Sequence, residues 1–205
     1  MSVAETPRGT STREQVIAHA SALIREQGFR STSIGDVLER TGLQKGSLYH
    51  YFPSKDHLGH AVLDRWTEDL RSRLLDFLTA PDGPPPLERI AAALDGFLAQ
   101  AEASGCRGGC PFGTLAAELA DVDERFRLRL SDAFRRFSDG FGDLVARARD
   151  AGELRPDADP RAIGDFLVAA IEGGILLAKV HRSTAPLTAA LRAAEAHLAS
   201  FRTRA

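Results

Sequence analysis

The sequence predicts an all-α protein of about nine helices: an N-terminal three-helix domain of helix-turn-helix type, then a larger C-terminal helical domain. Three observations lead there. Apolar residues recur at helical spacing nearly everywhere, and strand alternation is hard to find. Capping residues and glycines punctuate the chain at helix-length intervals. Finally, 205 residues with 43% hydrophobic and 26% charged side chains suit a globular protein that buries its own core.

Thr12 with Gln15 forms a capping-box pattern, Val16, Ala20, Leu23 and Ile24 share one face, and Gly28 closes the first helix. Ser33 with Asp36 starts a second helix ending at Gly42. A third runs from about Lys45 to Tyr51, where Pro53 and Ser54 interrupt. The fourth is long, with Leu58, Val62, Trp66, Leu70 and Leu74 recurring to about Thr79. "APDGPPPLE" reads as a loop. Helices are then expected over about 87–103, 112–121, 124–151, 160–181 and 187–203, with Asp121 and Glu124 capping one and Asp159–Pro160 opening another. The domain limits expected are 1–56 and 57–205.

Two short helices joined by "TGLQ" are either an ordinary helical corner or a helix-turn-helix. The content of the second helix favours the latter. Leu43, Leu48 and Phe52 suffice to anchor it, leaving Gln44, Lys45, Ser47, Tyr49, His50 and Tyr51 for other duties. These donors and rings suit phosphates and base edges. Gly46 removes a side chain where a nucleic-acid backbone can approach, and Lys55 opens the next helix where a phosphate is favoured.

Net charge is −2, with seven Lys/Arg against six Asp/Glu in residues 1–56 and nineteen against twenty-two in the rest. A nearly neutral total says little, because only the contacting face matters. No phosphate loop, H-E-x-x-H pattern or nucleophile elbow is present, and the six histidines are scattered, so neither an enzyme nor a metal or other cofactor site is expected. The N-terminal stretch "MSVAETPRGTSTREQ" is polar, without the apolar core of a signal peptide. The longest apolar run carries Asp165 and Glu172, which argues against a membrane span. A reducing cytoplasm is the expected location.

The stretch from Thr12 to Leu63, through "GF" with "TSI", "TGLQKGSLYHYF" and "PSKDHL", resembles the DNA-binding domain of the TetR/AcrR family of bacterial transcriptional regulators. The resemblance implies a homodimeric repressor on a palindromic double-stranded DNA operator, released by a ligand in the C-terminal domain. It adds Thr32 to the DNA-contacting set of Gln44, Lys45, Gly46, Ser47, Tyr49, His50, Tyr51 and Lys55. Gln44 stands where a small capping residue is usual, so it is either a poor cap or a base contact.

"GGCPFGTLAAELADVDERFR" and "IEGGILLAKV" are similar to one branch of that family, in which some members sense electrophiles or oxidants through a cysteine and others bind a small-molecule inducer without covalent chemistry. Cys110 precedes a helix start that would lower its pKa, and the branch resemblance places Lys179 near it; Cys106 is the alternative partner. Cys110 as plain packing stays open beside this. Trp66, Phe97, Phe112, Leu115, Phe134, Phe137 and Glu172 are candidate ligand-binding residues, with ordinary core as the other reading. The stripes Ile163–Phe166–Leu167–Ala170–Gly174–Leu177 and Leu187–Leu191–Ala194–Leu198–Phe201 on the last two helices are expected to form the homodimer, or else to face their own subunit.

Overall fold

A computed structural model of the chain describes residues 11–203; the polar N-terminal stretch up to residue 10 lies outside them. The contacts divide the chain into two compact units, up to Arg65 and from Trp66 onward.

The first unit holds α1 (Thr12–Gln27), α2 (Ile34–Thr41), α3 (Lys45–Tyr51) and the start of α4 (Lys55–Leu70). Ser11, one residue earlier than the expected Thr12, caps α1 in a reciprocal box with Glu14. Its hydroxyl is better placed because Thr12 already has helical backbone and cannot turn back to the free amides. Ser33 and Asp36 cap α2 as expected, and Gly42 ends it at φ 69°, a left-handed conformation that glycine adopts without strain. Val16, Ala20, Ile24, Phe29, Val37, Leu48, Phe52, Leu58 and Val62 form the buried centre.

In the second unit, α4 continues without a break through a π turn (Arg71–Leu75) into α5 (Asp76–Thr79). The Asp76 N–H donates to the Arg71 carbonyl, five residues back. Arg71 reaches Asp76 at 2.9 Å and also pairs with Glu68. Then come α6 (Pro86–Ala103), α7 (Pro111–Leu119), α8 (Glu124–Asp150), α9 (Pro160–His181) and α10 (Ala185–Ala199). Counting α4 to α5 as one run gives nine helices among the described residues. Asp123, not Asp121, caps α8 with bonds to the Arg125 and Phe126 amides. The last helix stops at Ala199 rather than 203, because the tail turns back: Phe201 O accepts from Arg155 N and Thr203 N donates to Glu153 O.

Helices α8 and α9 form the central pair, with Phe137, Phe141, Leu144 and Val145 against Ile163, Leu167 and Ile171. They cross closely at Gly164, where a Cβ would stand 2.4 Å from the Ser138 carbonyl oxygen. The proline-rich loop is held from within. Buried Arg89 donates to the carbonyls of Leu78, Ala80, Asp82 and Pro84, and Arg147 adds a second bond to Ala80. The apolar stripes of α9 and α10 are mostly spent on their own unit: Ile163, Leu167, Gly174, Leu187, Leu191, Ala194 and Leu198 are buried. Phe166, Leu176, Leu177 and Val180 of α9 stay exposed. No helix among the described residues is long and apolar enough to cross a membrane.

Candidate functional site

Helix α3 is short and turned outward. Leu48 is its one buried residue; Phe52, just past its end, is buried too and Leu43 is half-buried. These fix the helix, while Gln44, Lys45, Ser47, Tyr49, His50 and Tyr51 are all exposed. Gln44 is the N-cap but makes no side-chain capping bond, which leaves its amide for an outside partner. The Lys45 ammonium lies 5.9 Å from the centre of the Tyr49 ring, and the His50 and Tyr51 rings meet edge-on at 5.3 Å. A side chain at Gly46 would meet nothing within 4 Å, so this surface is open to a close approach. A row of cationic, amide, hydroxyl and aromatic groups on a rigid seven-residue helix matches what phosphates and base edges offer.

Two expected members of this surface are engaged within their own unit. Thr32 is buried, and its hydroxyl donates to the Gly28 carbonyl at 2.7 Å, so it secures the turn between α1 and α2 instead of facing outward. Lys55 does open α4, but its ammonium donates to the Arg30 carbonyl at 3.1 Å and sits 4.6 Å from the Phe29 ring centre. Ser54 caps that helix through its hydroxyl and the His57 amide.

In the second unit the candidate aromatics pack on one another. Trp66 meets Phe112 and Phe112 meets Phe134, each pair at 6.4 Å and edge-on. Phe97, Phe137 and Phe141 form another string at 5.7 and 5.5 Å. Trp66, Phe112, Leu115 and Phe137 are buried. These distances are those of ordinary aromatic packing in a core.

The cysteine segment is more distinctive. Cys110 is the N-cap of α7, and its sulfur accepts from the Gly113 amide at 3.5 Å. The expected lowering of its pKa by the helix end is overturned. Burial, the adjacent Glu172 charge and a hydrogen bond to that carboxylate together push the thiol well above its ordinary range. Glu172 itself is raised by burial, opposed by the bond from Cys110. Lys179 does reach this segment, yet it packs on Gly109: a Cβ there would stand 3.2 Å from its Cδ. Cys106 is buried in the core, and its carbonyl accepts from Arg182 at 3.0 Å. The thiol–carboxylate pair escaped the sequence reading because 62 positions separate the partners. The only available signal was an acidic residue in an apolar stretch of helix.

Comparison with known proteins gives one answer across both units. A family model described as bacterial regulatory proteins, tetR family, matches residues 16–62, and one described as tetracyclin repressor-like, C-terminal domain, matches residues 86–194. The chain is 33% identical to the HTH-type transcriptional regulator Rv0196 of Mycobacterium tuberculosis over 85% of its own length and 88% of the relative's. It is 31% identical to the HTH-type transcriptional repressor NemR of Escherichia coli K12, covering 88% of this chain and 90% of that protein. A solved TetR transcriptional regulator from Chloroflexus aurantiacus superposes with a TM-score of 0.84 at 31% identity, over 95% of this chain and 97% of that one.

Proposed function

Since this chain belongs to the TetR family of DNA-binding transcriptional regulators, we propose that it is a homodimeric repressor whose two α3 helices read a palindromic operator. The observation that carries this reading is the outward face of α3, where one buried leucine anchors six exposed polar or aromatic residues around an unobstructed glycine. Gln44 and His50 are assigned to base edges, and Lys45, Ser47, Tyr49 and Tyr51 to phosphates and sugars. Gly46 admits the backbone. Two such helices must stand about 34–36 Å apart to enter successive major grooves. The exposed Phe166, Leu176, Leu177 and Val180 of α9 support dimerisation through the last two helices.

Release is assigned to a small-molecule or thiol-reactive signal acting on the second unit. The protein would work in the cytoplasm, without catalytic turnover. Selection from a random duplex library tests the central claim. Enrichment of a two-fold symmetric site, with half-sites about one helical turn apart, is the expected result. Equal retention of all duplexes by purified protein would sink it.

A further inference from the structure

Helix α9 has an outward face that the described residues of its own chain leave uncovered. Phe166, Leu176, Leu177 and Val180 are exposed on it. Between them Ala169 is exposed and Ala170 half-buried. At about 100° per residue, all of these lie within about 60° of Gly173 around the helix axis. The stripe from Phe166 to Val180 carries no charge, because Glu172 and Lys179 turn to the other side, against Gly113 and Gly109.

Gly173 stands apart from the other glycines of the helix. A Cβ on Gly164 would strike the Ser138 carbonyl, and one on Gly174 would stand 2.8 Å from the Leu187 Cδ1. Among the described residues nothing lies within 4 Å of the Cβ position of Gly173. Glycine weakens a helix interior, and no described neighbour requires it here. The close approach of a second helix supplies the missing reason. The flanking sequence has the symmetry such a helix needs. Ala170 and Ala169 stand three and four residues before Gly173, and Leu176 and Leu177 three and four after it. Phe166 stands seven before and Val180 seven after. Laid end for end on a copy of itself, this face sets its leucines over the copy's alanines. Laid parallel, it sets leucine on leucine and alanine on alanine, crowding one end and leaving a gap at the other.

Resting on the homodimer reading above and deepening it, we propose that a second copy of this chain covers this face, with the two α9 helices antiparallel and the two-fold axis passing at Gly173. Gly173 meets its own counterpart there, where two helix backbones come closest. Leu176 and Leu177 of each copy lie over Ala169 and Ala170 of the other, and Phe166 lies beside Val180. Every contact occurs twice, as a two-fold interface demands. The His197 ring of α10 meets Phe166 edge-on at 4.8 Å and steadies it at the rim of the contact. The paired stretch is about 21 Å long at about 1.5 Å per residue.

Sedimentation equilibrium and cysteine cross-linking on the full-length protein test the pairing together. Gly173→Leu should raise the dimer dissociation constant about tenfold or more, because it wedges the two helices apart. Helix content should stay unchanged, since the site is empty within the subunit. For cross-linking, Ala169→Cys protein is mixed with Leu176→Cys protein and oxidised mildly with copper phenanthroline. Peptide mapping should find a disulfide joining position 169 to position 176, which antiparallel pairing brings within bonding reach. Neither variant alone should join 169 to 169 or 176 to 176. A monomeric wild-type protein would remove the homodimer reading and this pairing with it. A wild-type dimer whose dissociation constant is unmoved by Gly173→Leu, or in which 176 joins 176, leaves the homodimer standing and overturns the pairing.

Discussion

Replacing Gly164 with alanine probes the contact on which the second unit is assembled. The new Cβ would lie 2.4 Å from the Ser138 carbonyl oxygen and 3.1 Å from the Gly142 nitrogen, where real Cβ atoms essentially never come within 3.0 Å. Both obstacles are backbone, so no rotamer change relieves them. The α8–α9 pair must part by at least the 0.6 Å between 2.4 and 3.0 Å, loosening Phe141 and Leu144 against Ile163 and Leu167. Overpacking of this kind costs about 3 kcal/mol at the upper end of its usual range. The gain in helix propensity returns about 1 kcal/mol. The net loss of about 2 kcal/mol corresponds to a melting temperature lower by about 4–8 °C. Gly96→Ala in α6 is the control, since nothing lies within 4 Å of its Cβ position, and it should raise the melting temperature by about 2–4 °C. Calorimetry on the two variants checks the pair. A Gly164→Ala protein as stable as the Gly96→Ala protein would refute the close crossing.

Three further outcomes can be measured directly. Lys45→Ala should weaken binding to all duplexes and reduce the slope of log affinity against log salt by about one, whereas Gln44→Ala should leave the slope and relax preference at one base position; Lys55→Ala should also lower thermal stability, because its ammonium ties down the Arg30 carbonyl. A double change of Leu176 and Val180 to glutamate should convert the dimer to monomers in analytical ultracentrifugation while leaving helix content intact, and an unchanged dimer would move the interface elsewhere. Burial raises the Glu172 carboxyl, so the folded state holds its proton more tightly than the unfolded state and stability falls as pH rises from the ordinary carboxylate range through the raised value. The melting temperature of Glu172→Gln minus that of wild type should therefore be larger at pH 8 than at pH 5, and a pH-independent difference would remove the burial account.

The parts of the fold legible in the sequence are those fixed by local chemistry. Ser33 with Asp36, Gly28, Gly42 and Asp159–Pro160 mark helix ends because a cap needs only its own neighbours. The polar face of α3 was readable for the same reason: with Leu48 and Phe52 assigned inward, the rest had to face out. Position within a turn was not readable. Thr32 carries a hydroxyl suited to phosphate, but a carbonyl four residues back claims it. Long-range pairs were invisible too. Arg89 satisfies the carbonyls at the end of α5 and in the loop, and nothing in "PPPLERI" distinguishes it from a surface arginine. The Cys110 helix position was correctly read, yet its electrostatics are decided by a carboxylate from another helix.

The π turn at Arg71–Leu75 bears on chain length. A π turn is an α-helix with one surplus residue looped into a single turn. Deleting one residue there would close the surplus and leave Leu78 facing Gly140 at its present phase, at the expense of the Arg71–Asp76 pair. The same deletion inside α8 would swing everything beyond it by about 100° and turn Phe137, Phe141 and Leu144 off the core. Single-residue deletions are therefore absorbed at 71–75 and rejected in α8, so chains one residue shorter can keep this core unchanged.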